Sequence, residues 1–501
     1  MVETAARVAR LIHPIRRPGV PGVDKSAWSS RANGAGGVGW YRFTVPALRP
    51  VQPGFAYASP WPGPVSVLAA TGKRPACALA GLGGTALPPG PASPEGHAPA
   101  PSAPRRRLSE SPPVSRLSVS PAVLSLSLGA FAIGTAEFVA MGLLPWSSAD
   151  LGLDAEAASH VVSAYAIGVV IGAPLTTLLG ARLPRRRYLA ALIGFYGLAN
   201  LLSALLPGYP ALVATRFLAG LPHGGFLGVA SLFAASALPY EQRARGAVQV
   251  MMGLTVANIV GVPLAGGLGK ELGWRIGFAL PGVLALVSAV LVLRLAPRAG
   301  ADRAARPFAE LKALADSAVL LTLAVGAIGF GGMFAVYSFL TEALLRTTDA
   351  PGWVVPAMLA LFGVGATLAT LRVGAMTVRH GVFKAAAAVL ATMAGVLAFS
   401  ILAIGNWPLM LATAFLLGFG GGLGIPLQVR LMDVAGEAQS MAAAMNHAAF
   451  NAANALGPFL AGIAINRGLG YRAPGWIGLG LTAGGALMLA LAWAQARRRA
   501  R

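Results

Sequence analysis

Charge is scarce in this 501-residue chain: Asp, Glu, Lys and Arg make up 11% of it, apolar residues make up 56%, and the mean hydropathy is +0.67. A soluble α-protein keeps a polar face on each surface helix. Here long stretches carry no charge at all, which argues against a soluble fold and points to lipid as the solvent. Cysteine is nearly absent too. The single Cys77 excludes an intrachain disulfide and a cysteine-based metal centre. The six histidines show no ligand spacing, so no metal and no other cofactor is expected. Acid is the scarcer charge, 17 residues against 39 basic ones, for a net charge of +22. A basic chain can signal nucleic acid. Its arginines, however, sit in short loops and at the end of the chain, as in Arg185-Arg186-Arg187 and Arg497-Arg498-Arg499. No RNA- or DNA-binding motif accompanies them, and no nucleic-acid partner is expected. Clustered acids, or a nucleophile beside a base, would mark an enzyme. Neither is present, nor is a folded signalling domain that would mark a receptor.

Residues 1–117 differ from the rest, with 19 of the 37 prolines and 14 basic against 4 acidic residues. "ALPPGPASPEGHAPAPSAPRRR" reads as a disordered arm that leans to polyproline II. It lacks the short apolar core of a signal peptide and is too long for one. Two origins fit it: a dispensable arm, or an over-extended start, with "VSRLSVSPAVLSLSLGAF" as the natural beginning.

From residue 122 apolar spans alternate with short breaks, each near the roughly 20 helical residues that cross a bilayer. Twelve are expected: 122–146, 157–180, 188–207, 209–238, 244–268, 274–295, 317–341, 352–375, 384–404, 408–429, 438–465 and 473–495. Helices are the natural choice, since each satisfies its own backbone hydrogen bonds in lipid. The loops on the side of the first terminus hold 19 basic residues and the opposite loops 5, so that side is expected to be cytoplasmic, with both termini there.

The longest internal loop, 296–316, separates two expected six-helix bundles, 118–295 and 317–501. An internal repeat supports the division. "ANIVGVPLAG" at 257–266 and "ANALGPFLAG" at 453–462 share six of ten residues at an offset of 196, and "FLAGLPHG" at 217–224 aligns with "FLLGFGGG" at 415–422 at an offset of 198. Parallel repeats of this kind place a substrate site between the halves near the bilayer midplane. The fifth span also carries Gly253, Ala257, Gly261, Ala265 and Gly269 four apart, and the eleventh Ala449, Ala453, Gly457 and Ala461. Small residues at this spacing let helix backbones approach closely in lipid. Pro263 and Pro458 stand beside these stripes and should bend both helices.

One acid breaks the pattern. Glu137, in "GTAEFVAMGLLP", alone lies well inside a span. A charge there costs about 2.5–3.5 kcal/mol on insertion scales. A carboxyl that is protonated when facing one side and ionised when facing the other carries one proton per cycle. The plainer reading is a structural acid bonded to a neighbouring helix. Arg216, several residues into the fourth span, either snorkels to the interface or lines a cavity with Glu137. His223 lies about two turns deeper on the same helix. The eleventh span adds Asn446, His447, Asn451 and Asn454, the last three on one helical face, and Asn258 matches Asn454 in the repeat. Interhelical hydrogen bonding and ligand contact fit them equally. Candidate cavity aromatics are Phe131, Phe138, Tyr165, Phe226, Phe330, Phe334 and Tyr337.

These features together resemble the major facilitator superfamily, and within it the twelve-helix drug:proton antiporter branch with its arabinose-efflux and chloramphenicol-resistance-like exporters. The resemblance covers about 120–495, through "GTAEFVAMGLLP", "RFLAGLPHGGFLGVAS" and "GLTVANIVGVPLAGGLG". It implies an all-α membrane fold of two six-helix pseudo-repeats. It also implies that the fifth-helix pattern of Gly261, Pro263, Gly266 and Gly267 goes with antiport, and that Arg216 takes part in proton coupling. The loop after the second span, "GARLPRRRYL", keeps Gly180 and Arg185 of the family pattern but has Pro184 in place of its aspartate. That puts a charge relay through the loop in doubt and leaves a role at the anionic inner leaflet. The expected function is proton-coupled export of a small organic solute, drug or sugar, by a monomer in a bacterial cytoplasmic membrane. An uncoupled facilitator or importer is the alternative.

Overall fold

The computed structural model describes residues 120–236, 243–298, 315–436 and 438–499. The expected arm, 1–117, and most of the expected linker, 296–316, lie outside the described residues. Twelve helices are long and apolar enough to cross a membrane: α1 Pro121–Gly142, α2 Ala155–Gly180, α3 Arg185–Leu205, α4 Tyr209–Ser236, α5 Arg245–Leu272, α6 Ile276–Leu295, α7 Ser317–Thr347, α8 Val354–His380, α9 Val382–Ala403, α10 Trp407–Val434, α11 Met441–Leu469 and α12 Ala473–Arg499. No strand occurs among the described residues. They form two six-helix pseudo-repeats.

Local chemistry sets the boundaries. Asp154 caps α2 by accepting from the Ala157 amide at 2.8 Å, and Asp316 caps α7 by accepting from Ala318 at 2.7 Å. Gly381, at φ 82, turns α8 directly into α9. The first span stops earlier than expected. Leu143 leaves helical geometry, and Pro145 opens a separate short helix, Leu144–Leu151.

Several spans are interrupted near their middles. α4 breaks at Leu221 and Pro222, between Tyr209–Gly220 and His223–Ser236. α10 tightens into a 3₁₀ turn at Phe419–Leu423, which overlies the α4 break under the 198-residue offset. α7 breaks at Phe330. In α5 a π-turn, Ala257–Gly261, immediately precedes Pro263. Pro458 behaves differently: it is held inside the helix Gln439–Ala464, and the π-turn of α11 comes later, at Ile465–Leu469.

Glycines bring the spans together. A Cβ at Gly253 would strike the Ser127 carbonyl of α1, and one at Gly261 the Thr135 hydroxyl, so α5 lies directly on α1. Gly168 and Gly220 join α2 to α4, Gly365 and Gly418 join α8 to α10, and Gly457 meets the α7 backbone at Gly331. Gly266 of α5 faces Leu359 of α8, whose Cδ1 would lie 2.9 Å from a Cβ. Gly267 departs from the expected packing role: a Cβ there would meet nothing within 4 Å, because this position turns off the α5 contact face. Across the two halves, α2 packs along α11, tied by the Ser163 hydroxyl to the Ala455 carbonyl at 2.9 Å. One core cluster comes wholly from residues between Ala122 and Ala296, and a larger one draws on both halves. In the loop after α2, Gly180 lies against the Tyr188 ring, whose hydroxyl donates to the Thr176 carbonyl. A tyrosine therefore ties down this loop.

Candidate functional site

A cavity of about 270 Å³ lies between the halves. Its wall takes Glu137 and Phe138 from α1, His223 from α4, Met251, Leu254, Thr255 and Asn258 from α5, and Phe330 and Met333 from α7. α8 adds Phe362, Gly363, Ala366, Thr367 and Thr370, α10 adds Gly421 and Gly424, and α11 adds Asn446, His447 and Phe450. The irregular backbone faces this space. His223 follows the α4 break, Asn258 is in the α5 π-turn, Phe330 is the α7 break and Gly421 is in the α10 turn. Lipid tolerates non-helical backbone only where it is buried in protein or lines a cavity.

One end is plugged by aromatic rings. Tyr337 stacks on Phe362 at 4.0 Å between centroids, and Phe138 packs on Phe362 at 5.6 Å and on Phe334 at 6.4 Å. Beyond them Leu359 fits against Gly142 and Gly266. In the other direction the wall runs through Thr367 to the exposed Thr370, toward the helix ends that carry Arg245 and Arg379.

Glu137 is 3% exposed, and its Oε1 has no hydrogen-bond partner among the described residues. The Arg216 guanidinium and the amides of Asn451 and Asn454 surround the carboxyl. Arg216 is fully buried, which overturns the snorkelling reading: its head points into the bundle. Nη1 donates to Asn200 Oδ1 at 3.2 Å and Nη2 to the Ala136 carbonyl at 3.5 Å. The guanidinium carbon lies 4.2 Å from the Tyr165 ring centroid and 4.9 Å from that of Phe278. Each such contact contributes about 2 kcal/mol when desolvated. No carboxylate oxygen lies within 4.0 Å of it among the described residues. Behind the wall, the Tyr165 hydroxyl meets His223 Nδ1 at 2.7 Å, and Tyr196 donates to the Ile133 carbonyl at 3.2 Å. Asn451 donates to the His447 carbonyl at 3.1 Å, but its Oδ1, both side-chain polar atoms of Asn454, Asn258 Oδ1 and Arg216 Nε are unpaired among the described residues. A buried polar group left unpaired costs about 1–3 kcal/mol, so several in one place mark a polar site rather than packing.

Of the residues singled out by sequence, Glu137, Phe138, His223, Asn258, Phe330, Asn446 and His447 line the cavity. Tyr165, Arg216, Asn451 and Asn454 stand one layer behind. Four further expected lining residues do not line it. The Phe131 ring lies against Gly261 of α5. Phe226 is fully buried against Gly129 of α1, in the core of the first half. Phe334 and Tyr337 belong to the aromatic plug. Sequence reasoning missed Asn200 and Phe278, which hold Arg216, and the hydroxyls Thr367 and Thr370. Asn200 had a signal, as the lone amide in the apolar run of α3. So did the threonines, three apart and on one side of α8.

Residues 126–381 match the Major Facilitator Superfamily, and this chain belongs to it. It is a multi-pass membrane transporter of small solutes, not an enzyme. The chain is 38% identical over 348 residues to the inner membrane transport protein YdhP of Escherichia coli (strain K12), covering 69% of this chain and 89% of that one. It is 33% identical to a chloramphenicol resistance protein of Streptomyces lividans, over 73% of this chain and 94% of the relative. These relatives agree with the resemblance to the drug:proton antiporter branch. A mutant form of the nucleoside transporter NupG has the same fold, with a TM-score of 0.60 at 14% identity over 74% of this chain and 99% of NupG.

Proposed function

We propose that this protein exports a small organic solute, drug or sugar, in exchange for protons, by alternating access. It acts as a monomer in a bacterial cytoplasmic membrane, with both termini in the cytoplasm. The carrying observation is Glu137: a buried carboxyl on the wall of the central cavity, with an unpaired oxygen, between α1, α4 and α11. Proton uptake at Glu137 and solute occupancy alternate as the bundles 118–295 and 317–501 rock. The glycine contacts of α5 and α11, with Pro263 and Pro458, form the surfaces that slide. Among the described residues no carboxylate other than Glu137 faces Arg216, so loss of the Glu137 proton creates a charge pair across the α1–α4 boundary and proton uptake removes it. That is a two-state element biased by a proton. Gly180 and Arg185 hold the cytoplasmic loop. Inner-membrane and drug-resistance names among the relatives support the location and the solute type.

The test is solute-driven proton movement in proteoliposomes. Glu137→Gln should insert normally, lose uphill transport driven by a pH gradient and keep downhill exchange. Full pH-driven accumulation by this variant would overturn the proposal. Wild-type solute flux with no proton movement would favour an uncoupled facilitator.

A further inference from the structure

Two imidazoles on the cavity wall have no task in the coupling scheme. His223 of α4 and His447 of α11 face each other from the two halves, with ring centroids 6.0 Å apart. The neighbours of His223 locate its proton. Tyr196 gives its one hydroxyl hydrogen to the Ile133 carbonyl, so it has none for Tyr165, 3.4 Å away. The Tyr165 hydroxyl hydrogen then has two places to go, and the Tyr196 oxygen at 3.4 Å is too far for an ordinary O–H···O bond, so we assign it to His223 Nδ1 at 2.7 Å. A neutral imidazole that accepts at Nδ1 carries its hydrogen on Nε2. That N–H lies on the ring edge away from Tyr165, on the cavity side. A neutral His447 carries one N–H in either tautomer. One oxygen atom placed beside both rings can accept from both at ordinary distances of about 2.9 Å.

The wall also constrains charge. Its lining residues include one carboxyl, Glu137, and no lysine or arginine. An anionic solute would face that carboxylate with no lining cation among the described residues, and a cationic group could pair with the carboxylate but not with two N–H donors. Phe138, Phe330 and Phe450 give the rest of the molecule an aromatic lining. We propose that His223 and His447 are the specificity-determining pair, donating from opposite halves to one hydroxyl or carbonyl oxygen of a neutral, partly aromatic solute. This rests on the cavity being the transport site. The solute then joins the two bundles through a single atom, and Tyr165 acts as a positioning residue that holds the tautomer.

The experiment is equilibrium binding of radiolabelled chloramphenicol, which is neutral and bears hydroxyl and amide groups, to the purified full chain in lipid nanodiscs. Tetraphenylphosphonium and benzoate serve as cationic and anionic competitors. Saturable binding is expected, with neither ion displacing the probe at equal concentration. His447→Leu and His223→Asn should each weaken binding about tenfold, and the double variant less than the product of the two, because both bind one atom. Tyr165→Phe keeps the ring beneath Arg216 and leaves His223 Nδ1 unpaired, so it should lower the melting temperature slightly and weaken binding a few-fold, whereas a role in packing alone would leave binding unchanged. If His223→Asn does not fold, His447→Leu decides. No saturable binding, binding unchanged in His447→Leu, or stronger displacement by tetraphenylphosphonium would overturn the inference. Histidine-dependent binding without solute-driven proton movement would count against the coupling scheme and leave this inference standing.

Discussion

Arg216 is the most constrained side chain of the site. It is large, charged and wholly buried, and it is held by Asn200, the Ala136 carbonyl and two aromatic faces. A lysine keeps the charge but not the planar fork or the stacking. Arg216→Lys should therefore lower the melting temperature, at a cost of about 2 kcal/mol, and an unchanged melting curve would show that the fork is idle. At the membrane surface Asp150 accepts from Arg275 at 2.7 Å and from the Trp274 indole at 3.0 Å. The Arg275 hydrogen bond, then that of Trp274, holds the Asp150 carboxyl below its usual 3.8. A carboxyl lowered in the folded state adds stability above its ordinary value and loses it as pH falls through the folded one. Trp274 emission should hold steady from neutral pH down to 3.8 and shift only at lower pH, and Asp150→Asn should abolish the step. Of these residues Glu137 was legible, because one acid in an apolar run stands out. The grip on Arg216 was not: Asn200 and Phe278 are 78 residues apart in sequence, and only folding brings them to it.

At the scale of elements, glycine decides which helices touch. Gly365 of α8 lies against the Phe415 carbonyl of α10, so Gly365→Val must push the two apart. Overpacking of this kind costs about 1–3 kcal/mol. Gly267→Ala is the matched control. A Cβ there meets nothing within 4 Å, and alanine gains about 0.5–1 kcal/mol of helix propensity. Thermal melts should fall for the first and hold or rise for the second, and equal loss in both would defeat this account of the contacts. The twelve spans were legible because lipid demands long apolar runs. Their interruptions were harder to place. "GLPHGG" and "GFGGGLG" hold the glycines and proline at which α4 and α10 are interrupted, where no break was expected, whereas Pro458, an equally strong breaker that was expected to bend its helix, sits inside unbroken helix. Whether a proline breaks a span depends on whether neighbouring helices can pair the freed carbonyl.

For the whole molecule, the rings of Phe138, Phe334, Tyr337 and Phe362 and the seat of Leu359 on Gly142 and Gly266 close one end of the cavity. Alternating access requires that closure to part. In a Cys77→Ala background, the pair Gly266→Cys and Leu359→Cys should crosslink under oxidant, halt transport and regain it on reduction. Transport that survives complete crosslinking would rule out movement at this end. The internal repeat, read from two short matches, puts the α4 break and the α10 turn at equivalent positions, because an offset in sequence becomes a rotation in space. It could not tell that the α5 and α11 π-turns fall at different places, since the matched segments read almost alike.

The π-turn of α5 has one more consequence. It pushes the Asn258 carbonyl against Gly363 so closely that no side chain fits there. Anyone evolving this transporter toward new cargo by randomising its lining will find codon 363 intolerant: surviving clones should all keep the bare residue, and useful diversity will collect instead at Thr255, Thr367 and Thr370.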